Sequence, residues 1–279
     1  MVWCRKMNIE LVLVSYNRLP YIKHVVESLF ADQTEEFTVV FWDNGSTDGT
    51  REFLAAQTDP RISEMVFSTE NVWVHGAANR VFEASKAELL GILNDDIILS
   101  PGWTRTLAQA HADIPRLGFV GCWHLGEEFF DYNRARKKIQ TFGAHKILRH
   151  PWTGGASGLV KRSAWMEVGP FESKQTTDLW IRMAGKGYVN GFYFPLIFVE
   201  HMDYAWSDFY MSRDDISSGL SRSVTAVAQG VTSIADARAW HQKVVDNLLD
   251  GPWDVKSYIG WRGALNRLKE KLCRLKGKI

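Results

Sequence analysis

Three apolar runs in the first hundred residues each end on a polar or acidic side chain, and this repetition constrains the fold more than any other feature. Residues 9–16 read Ile-Glu-Leu-Val-Leu-Val-Ser-Tyr, residues 37–42 lead into Asp43, and residues 89–93 run into Asn94-Asp95-Asp96. Short runs that stay apolar at consecutive positions, rich in Val, Ile and Leu, suit strands covered on both faces, as in parallel sheets. Between them stand helix signals. Pro20 opens a helix over 21–31, Thr47 or Asp48 caps one running through Ala56, and a weaker strand at 65–68 precedes a helix over 76–86. This alternation predicts a doubly wound, mostly parallel α/β sheet flanked by helices. Such sheets bind ligands beyond the carboxyl ends of their strands, where Ser15, Asp43 and Asp96 are expected to converge.

The remainder is less regular. Strands are predicted over 118–122 and 193–199, with a helix over 177–186 that Gly187 stops, and the chain from about Ser212 onward reads as helical. The expected organisation is one domain over 1–205 and a helical C-terminal extension over 206–279.

At 279 residues, with 46% hydrophobic and 23% charged side chains, the chain is rich enough in apolar residues to be folded throughout. Cys4, Cys122 and Cys273 have no metal-ligand spacing, which points to a reducing cytoplasmic setting. The longest apolar run, 192–199, is too short for a bilayer and contains Pro195, and residues 1–7 lack a signal-peptide core. The expectation is therefore a protein neither integral to a membrane nor exported by that route.

The net charge of +1 hides an asymmetry: residues 261–279 carry seven Lys/Arg against Glu270, leaving −5 on residues 1–260. An acidic body argues against nucleic acid as a partner. In the tail Trp261, Leu265, Leu268, Leu272, Leu275 and Ile279 recur at spacings of four and three, an apolar stripe on a cationic helix. Such a helix suits an anionic membrane surface, at the inner face of the cytoplasmic membrane, with a partner helix as the other reading.

Adjacent carboxylates at a strand end suit a hard divalent cation that neutralises diphosphate oxygens, with Asp96 as first choice of ligand. Asp43 and the glycine-flanked loop after it, including Asn44 and Ser46, can contact a nucleotide, and Ser15, Tyr16, Asn17 and Arg18 can line the same pocket. The bland alternatives are a polar turn at 95–96 and a helix-capping turn at 43–50.

The ordered set Val-Ser-Tyr-Asn-Arg (14–18), Trp-Asp-Asn-Gly-Ser-Thr-Asp-Gly-Thr (42–50), Asn71 to Asn79, and Leu-Asn-Asp-Asp (93–96) with Pro-Gly-Trp (101–103) resembles the family 2 glycosyltransferases with the GT-A fold, over about 8–201. The resemblance implies a Rossmann-like nucleotide-sugar half at about 8–100, an acceptor half over 101–205, Mn²⁺ or Mg²⁺, and sugar transfer from a nucleotide diphosphate donor with inversion. A UDP-sugar is the favoured donor. The expected acceptor is a saccharide or lipid-linked saccharide in cell-surface polysaccharide or glycolipid synthesis.

By the same resemblance Asp43 would contact the base, Asn79, Asn94 and Asp95 the donor, and Asp96 the metal, helped by His201. Trp152, Gly154 and Gly155 would precede an acceptor-side helix. The chain departs from the family pattern in three places: Asn94 stands where Asp is frequent, Trp73 where glycine is usual, and Gln175-Thr176 where an acidic pair normally supplies the base. Asp178 is the nearest surviving carboxylate and Glu172 the second, so Asp178 is the expected general base. A catalytically silent nucleotide-sugar binder or scaffold is the alternative that the 175–176 departure keeps open. A nucleotidyltransferase is the lesser one, because residues 14–18 hold no glycine-rich phosphate loop.

Overall fold

The computed structural model describes residues 7–154, 157–172 and 176–260. The first half of the chain alternates as expected: β1 (Ile9–Ser15), α1 (Leu19–Ala31), β2 (Thr38–Asp43), α2 (Thr50–Ala55), β3 (Ile62–Phe67), α3 (Trp73–Ala84) and β4 (Leu89–Leu93). After it come β5 (Ile97–Ile98), α4 (Trp103–Asp113), β6 (Leu117–Gly121), α5 (Tyr132–Ala135), β7 (Ile139–Phe142), β8 (His145–Arg149), β9 (Ser157–Lys161), α6 (Arg162–Val168), α7 (Thr176–Gly185), β10 (Val189–Phe194) and β11 (Glu200–His201). The chain continues through α8 (Ile216–Arg222), α9 (Val224–Gln229) and α10 (Ile234–Asp250).

A nine-stranded sheet has the order β3-β2-β1-β4-β9-β6-β10-β8-β7. β1 runs parallel to β2 and β4, β2 to β3, and β6 to β10. β9 is antiparallel to both β4 and β6, and β8 to both β10 and β7. The sheet is thus mixed, with every strand but β9 and β8 pointing the same way.

Alternate residues of β1 serve opposite faces, as pleating requires. Leu11 and Leu13 pack with Tyr21, Ile22 and Val25 of α1 and Leu107 of α4. Val12 and Val14 pack with Ala77 and Phe82 of α3, Trp165 of α6 and Trp180 of α7. Helices therefore cover both faces, and each fully buried side chain of this kind contributes about 1.5–3 kcal/mol of transfer free energy. Helix α10 adds a further patch, laying Val245, Leu248 and Leu249 on Trp123, Leu148 and Phe192. It starts cleanly because Ser233 accepts a hydrogen bond from the Asp236 amide.

Several boundaries differ from the sequence reading. The helix expected after Gly154 and Gly155 is instead strand β9, and helix α6 begins only at Arg162. A strand fits there because Gly158 has no side chain: a Cβ would stand 2.6 Å from the Val120 carbonyl and 2.8 Å from Gly121 Cα. The run 193–199 also divides. β10 stops at Phe194 because Pro195 has no N–H to give the ladder, and Glu200–His201 pairs with β5 instead. The third strand begins at Ile62 and the helix after it at Trp73, both upstream of where apolar periodicity placed them.

The helical C-terminal region is present over α8–α10, whereas the basic stripe at 261–279 lies outside the described residues. Among those described, no helix is long and apolar enough to cross a membrane.

Candidate active site

The carboxyl ends of β1, β2 and β4 meet. Ser15 pairs with Asp43 in the parallel ladder, and Leu13 with Leu93, so the residues beyond β4 lie beside those ending β1. Ser15 Oγ donates to Asp95 Oδ2 at 2.9 Å and the Tyr16 amide donates to the same oxygen at 3.2 Å. Burial and the neighbouring Asp96 charge push the Asp95 carboxyl up to about 7, against the pull of Arg18 and the Ser15 hydroxyl. Asn94 is half-buried at the end of β4.

Two loops are knitted together above this edge. The Asn17 amide donates to Ser46 Oγ at 2.9 Å, the Thr47 amide to Asn17 Oδ1 at 2.8 Å, and the Leu19 amide to Asp48 Oδ2 at 2.9 Å. Asn17 sits at φ 52, a left-handed conformation that asparagine tolerates better than most residues. Asp43 has no exposed surface: its carboxylate accepts from the Ser46 amide at 3.2 Å and from Arg51 Nε at 3.2 Å. Asn44 Oδ1 accepts from Trp42 Nε1 at 3.0 Å and the Val72 amide at 3.2 Å. In this structure both side chains hold the loop in shape, so the surfaces it offers a ligand are its exposed atoms, with the Tyr16 ring 46% exposed beside them.

The arrangement at Asp96 is different. The pairing of β11 with β5 sets His201 opposite Ile97, and the Met202 amide donates to the Asp96 carbonyl at 2.8 Å. His201 Nε2 then stands 3.8 Å from Asp96 Oδ1. Asp96 Oδ1 and His201 Nδ1 are both buried with no hydrogen-bond partner among the described residues. A buried carboxylate oxygen left unpaired is costly unless something positive meets it. The pair therefore fits a divalent cation. Among the described residues no third His, Cys, Asp or Glu joins them, so diphosphate and water oxygens would complete the coordination.

Three further side chains, Tyr21, Asp203 and His124, were not singled out by the sequence reading. Arg18 forms a forked ion pair with Asp203, Nη1 to Oδ1 and Nη2 to Oδ2 each at 3.1 Å, and Tyr21 donates to Asp203 Oδ1 at 3.1 Å. This ties the β1 loop to the segment after His201. The signal was the His-x-Asp spacing of 201 and 203, invisible as chemistry until Arg18 is brought alongside. His124 lies with its ring centroid 6.3 Å from that of His201, and burial together with that neighbour lowers its pKa to about 3, leaving it neutral.

Asp178 and Glu172 share one cation: Arg182 Nε reaches Asp178 at 3.1 Å and Nη1 reaches Glu172 at 3.4 Å. No contact joins either carboxylate to Asp96 or His201 among the described residues. Asn79 also has a role the sequence did not show: its amide donates to the Phe171 carbonyl at 3.0 Å and accepts from the Phe171 amide at 2.9 Å. It holds the 169–172 segment against α3. Trp73 adopts φ 63, so the backbone keeps the conformation glycine favours while an indole 49% exposed replaces it.

The family model described as Glycosyl transferase family 2 matches residues 10–173, more than half of the chain and all three strand ends. The chain belongs to glycosyl transferase family 2. Among curated relatives of this glycosyltransferase, the N-acetylglucosaminyl-diphospho-decaprenol L-rhamnosyltransferase of Mycobacterium tuberculosis is 27% identical over 224 residues, spanning 65% of this chain and 72% of that protein. The validoxylamine A glucosyltransferase of Streptomyces hygroscopicus is 29% identical over 152 residues, 52% of this chain and 36% of that protein.

Solved structures share the GT-A architecture. A mannosyltransferase from Pyrobaculum calidifontis, in complex with GDP-Man and Mn²⁺, superposes with a TM-score of 0.60 at 18% identity, covering 97% of this chain and 81% of its own. S. aureus TarS 1-349 gives a TM-score of 0.51 at 15% identity, covering 86% and 73%. At these identities the likeness is one of fold.

Proposed function

We propose that this glycosyltransferase moves a sugar from a nucleotide diphosphate donor, a UDP-sugar in first place, to a hydroxyl of a saccharide or lipid-linked saccharide acceptor, with inversion and with Mn²⁺ or Mg²⁺ bound. The observation that carries the reading is the unpartnered Asp96 carboxylate oxygen facing His201 at the mouth of the parallel strands. A divalent cation held there would offset charge on the departing diphosphate. The GDP-Man and Mn²⁺ in the mannosyltransferase complex, and the lipid-linked acceptor in the rhamnosyltransferase's name, are consistent with it.

The chain's own residues divide the work. Residues 8–100 form the donor half, where Ser15 and the Tyr16 amide orient Asp95 toward the donor, and the loop 43–50 cradles the nucleotide. Asn94 lies beside Asp95, and Asn79 acts by positioning. Arg18, held by Asp203, adds positive charge near the two carboxylates. Residues 101–205 form the acceptor half, and the extension that follows contributes α8–α10.

Asp178 takes the proton as the acceptor oxygen attacks the anomeric carbon. The bond to the nucleoside diphosphate breaks on the opposite face, which inverts the centre. Glu172, on the same arginine, is the second choice.

Incubation with UDP-, GDP-, dTDP- and CDP-sugars and Mn²⁺ is expected to release nucleoside diphosphate from one class, at a rate that chelator abolishes. Release of pyrophosphate instead would move the chain to nucleotidyl transfer. The basic stripe at 261–279 is proposed to seat the enzyme on an anionic membrane surface, at the cytoplasmic face. Deleting it should abolish co-sedimentation with phosphatidylglycerol vesicles while donor hydrolysis persists, and undiminished sedimentation would refute the membrane role.

A further inference from the structure

A cavity of about 290 Å³, lined in part by His201, lies between the segment 201–206 and helices α8–α10. Its aromatic wall is ordered. His201 stacks on Tyr204 with centroids 4.3 Å apart, and Tyr204 stacks on Trp206 at 4.7 Å, so a row of parallel rings leads from the metal-binding pair into the cavity. Trp152, Trp240, Ala226 and Val231 stand among the other lining residues.

The polar groups of the wall are few and mostly engaged. Asp203 is held by Arg18 and Tyr21, and His241 Nε2 is within 2.8 Å of the Leu125 carbonyl. Tyr204 donates to the His124 carbonyl at 3.0 Å. His124 itself is buried, lines the cavity, and has an Nδ1 without a partner among the described residues. Gly154 makes room for that imidazole, since a Cβ there would fall 2.2 Å from His124 Nε2. No lysine or arginine lines the cavity among the described residues, so its wall offers a phosphate no cationic partner.

We propose that this cavity is the acceptor subsite, and that it takes one pyranose ring carrying an acetamido group, whose methyl meets the apolar wall and whose amide can pair with the unpartnered His124 Nδ1. The proposal rests on the glycosyltransferase reading and adds where the acceptor sits and what it must look like. A pyranose presents C–H groups on its faces and hydroxyls at its rim. The first match indole and phenol rings, and the second need only the few polar groups present. A volume near the lower end of ligand cavities suits a single ring. Any diphosphate or lipid of the acceptor then extends outside. The helical extension, beyond the residues that match the family model, thereby sets acceptor choice.

The test is a titration of methyl N-acetyl-β-D-glucosaminide, and of methyl β-D-glucoside, into protein holding UDP and Mn²⁺, followed by tryptophan fluorescence. The expected result is saturable binding of the first, at least tenfold tighter than of the second. Ala226→Trp, which fills the cavity, and Trp240→Ala, which removes one wall, should each weaken it tenfold or more. The thermal shift given by UDP and Mn²⁺ reports separately on folding and on the donor side. Should Ala226→Trp fail to melt cooperatively, Trp240→Ala carries the comparison. Absence of saturable binding, or equal dissociation constants in parent and variants, overturns the acceptor assignment alone. A parent protein with no UDP–Mn²⁺ shift overturns the donor reading beneath it.

Discussion

Replacing Asp96 with alanine is expected to lower kcat/KM for sugar transfer by about 10³-fold or more, while the metal-free protein keeps at least the parent's stability. The two effects have one cause. Asp96 Oδ1 is buried with no hydrogen-bond partner among the described residues and His201 Nε2 only 3.8 Å away, so in the absence of a cation that oxygen is desolvated without a compensating hydrogen bond. Removing it relieves that cost. The fold loses little, because the bond from the Met202 amide goes to the Asp96 backbone carbonyl, which alanine retains. With Mn²⁺ and donor present the balance reverses. A cation that offsets charge on a leaving diphosphate is worth several kcal/mol, and each 1.36 kcal/mol is a factor of ten in rate. Steady-state kinetics and a metal-free melting curve together check this. A stable variant with undiminished turnover would remove Asp96 from the reaction.

Gly158→Ala is expected to cost about 3 kcal/mol of stability, equivalent to a fall in Tm of roughly 6–12 °C for a domain of this size. β9 is inserted between β4 and β6, antiparallel to both, so it joins the first four strands to the rest of the sheet. The added Cβ would meet Phe119 Cζ at 2.5 Å, the Val120 carbonyl at 2.6 Å and Gly121 Cα at 2.8 Å. The phenyl ring can turn, but the two backbone atoms cannot move without shifting β6. The strain therefore falls on the pairing of β9 with β6. Thermal or urea unfolding measures it. A Tm within 2 °C of the parent would show that β9 is not packed so tightly against β6.

The contrast between these two sites explains what could be read from the sequence. Strands β1, β2 and β4 announce themselves because they are parallel and covered on both faces, so each is a continuous apolar run with a polar terminus. Their convergence follows from the topology, and Ser15 meeting Asp95 at 2.9 Å is its outcome. Strand β9 gives no such signal: Ser157-Gly-Leu-Val-Lys is short, and its place is decided by pairing with β4 and β6, distant in sequence. β7 and β8 escaped the reading for the same reason.

Within the site, residue types were legible and their partners were not. Asp43 and Asn79 were both visible as polar residues at informative positions. Only the fold shows the Asp43 carboxylate held by Ser46 and Arg51, and the Asn79 amide holding Phe171. His124 carried no motif and Asp203 only its spacing from His201, since the roles they take depend on Arg18 and His201 arriving from elsewhere in the chain.

The claim on which the rest depends is that Asp96 and His201 hold one divalent cation together with the donor's diphosphate. A titration of Mn²⁺ into the protein with UDP, followed by electron paramagnetic resonance of the free ion, tests it most directly. The expected result is one tightly bound Mn²⁺ per chain in the presence of UDP, with binding weakened at least tenfold in both Asp96→Ala and His201→Ala. One Mn²⁺ bound with unchanged affinity in both variants would contradict the account.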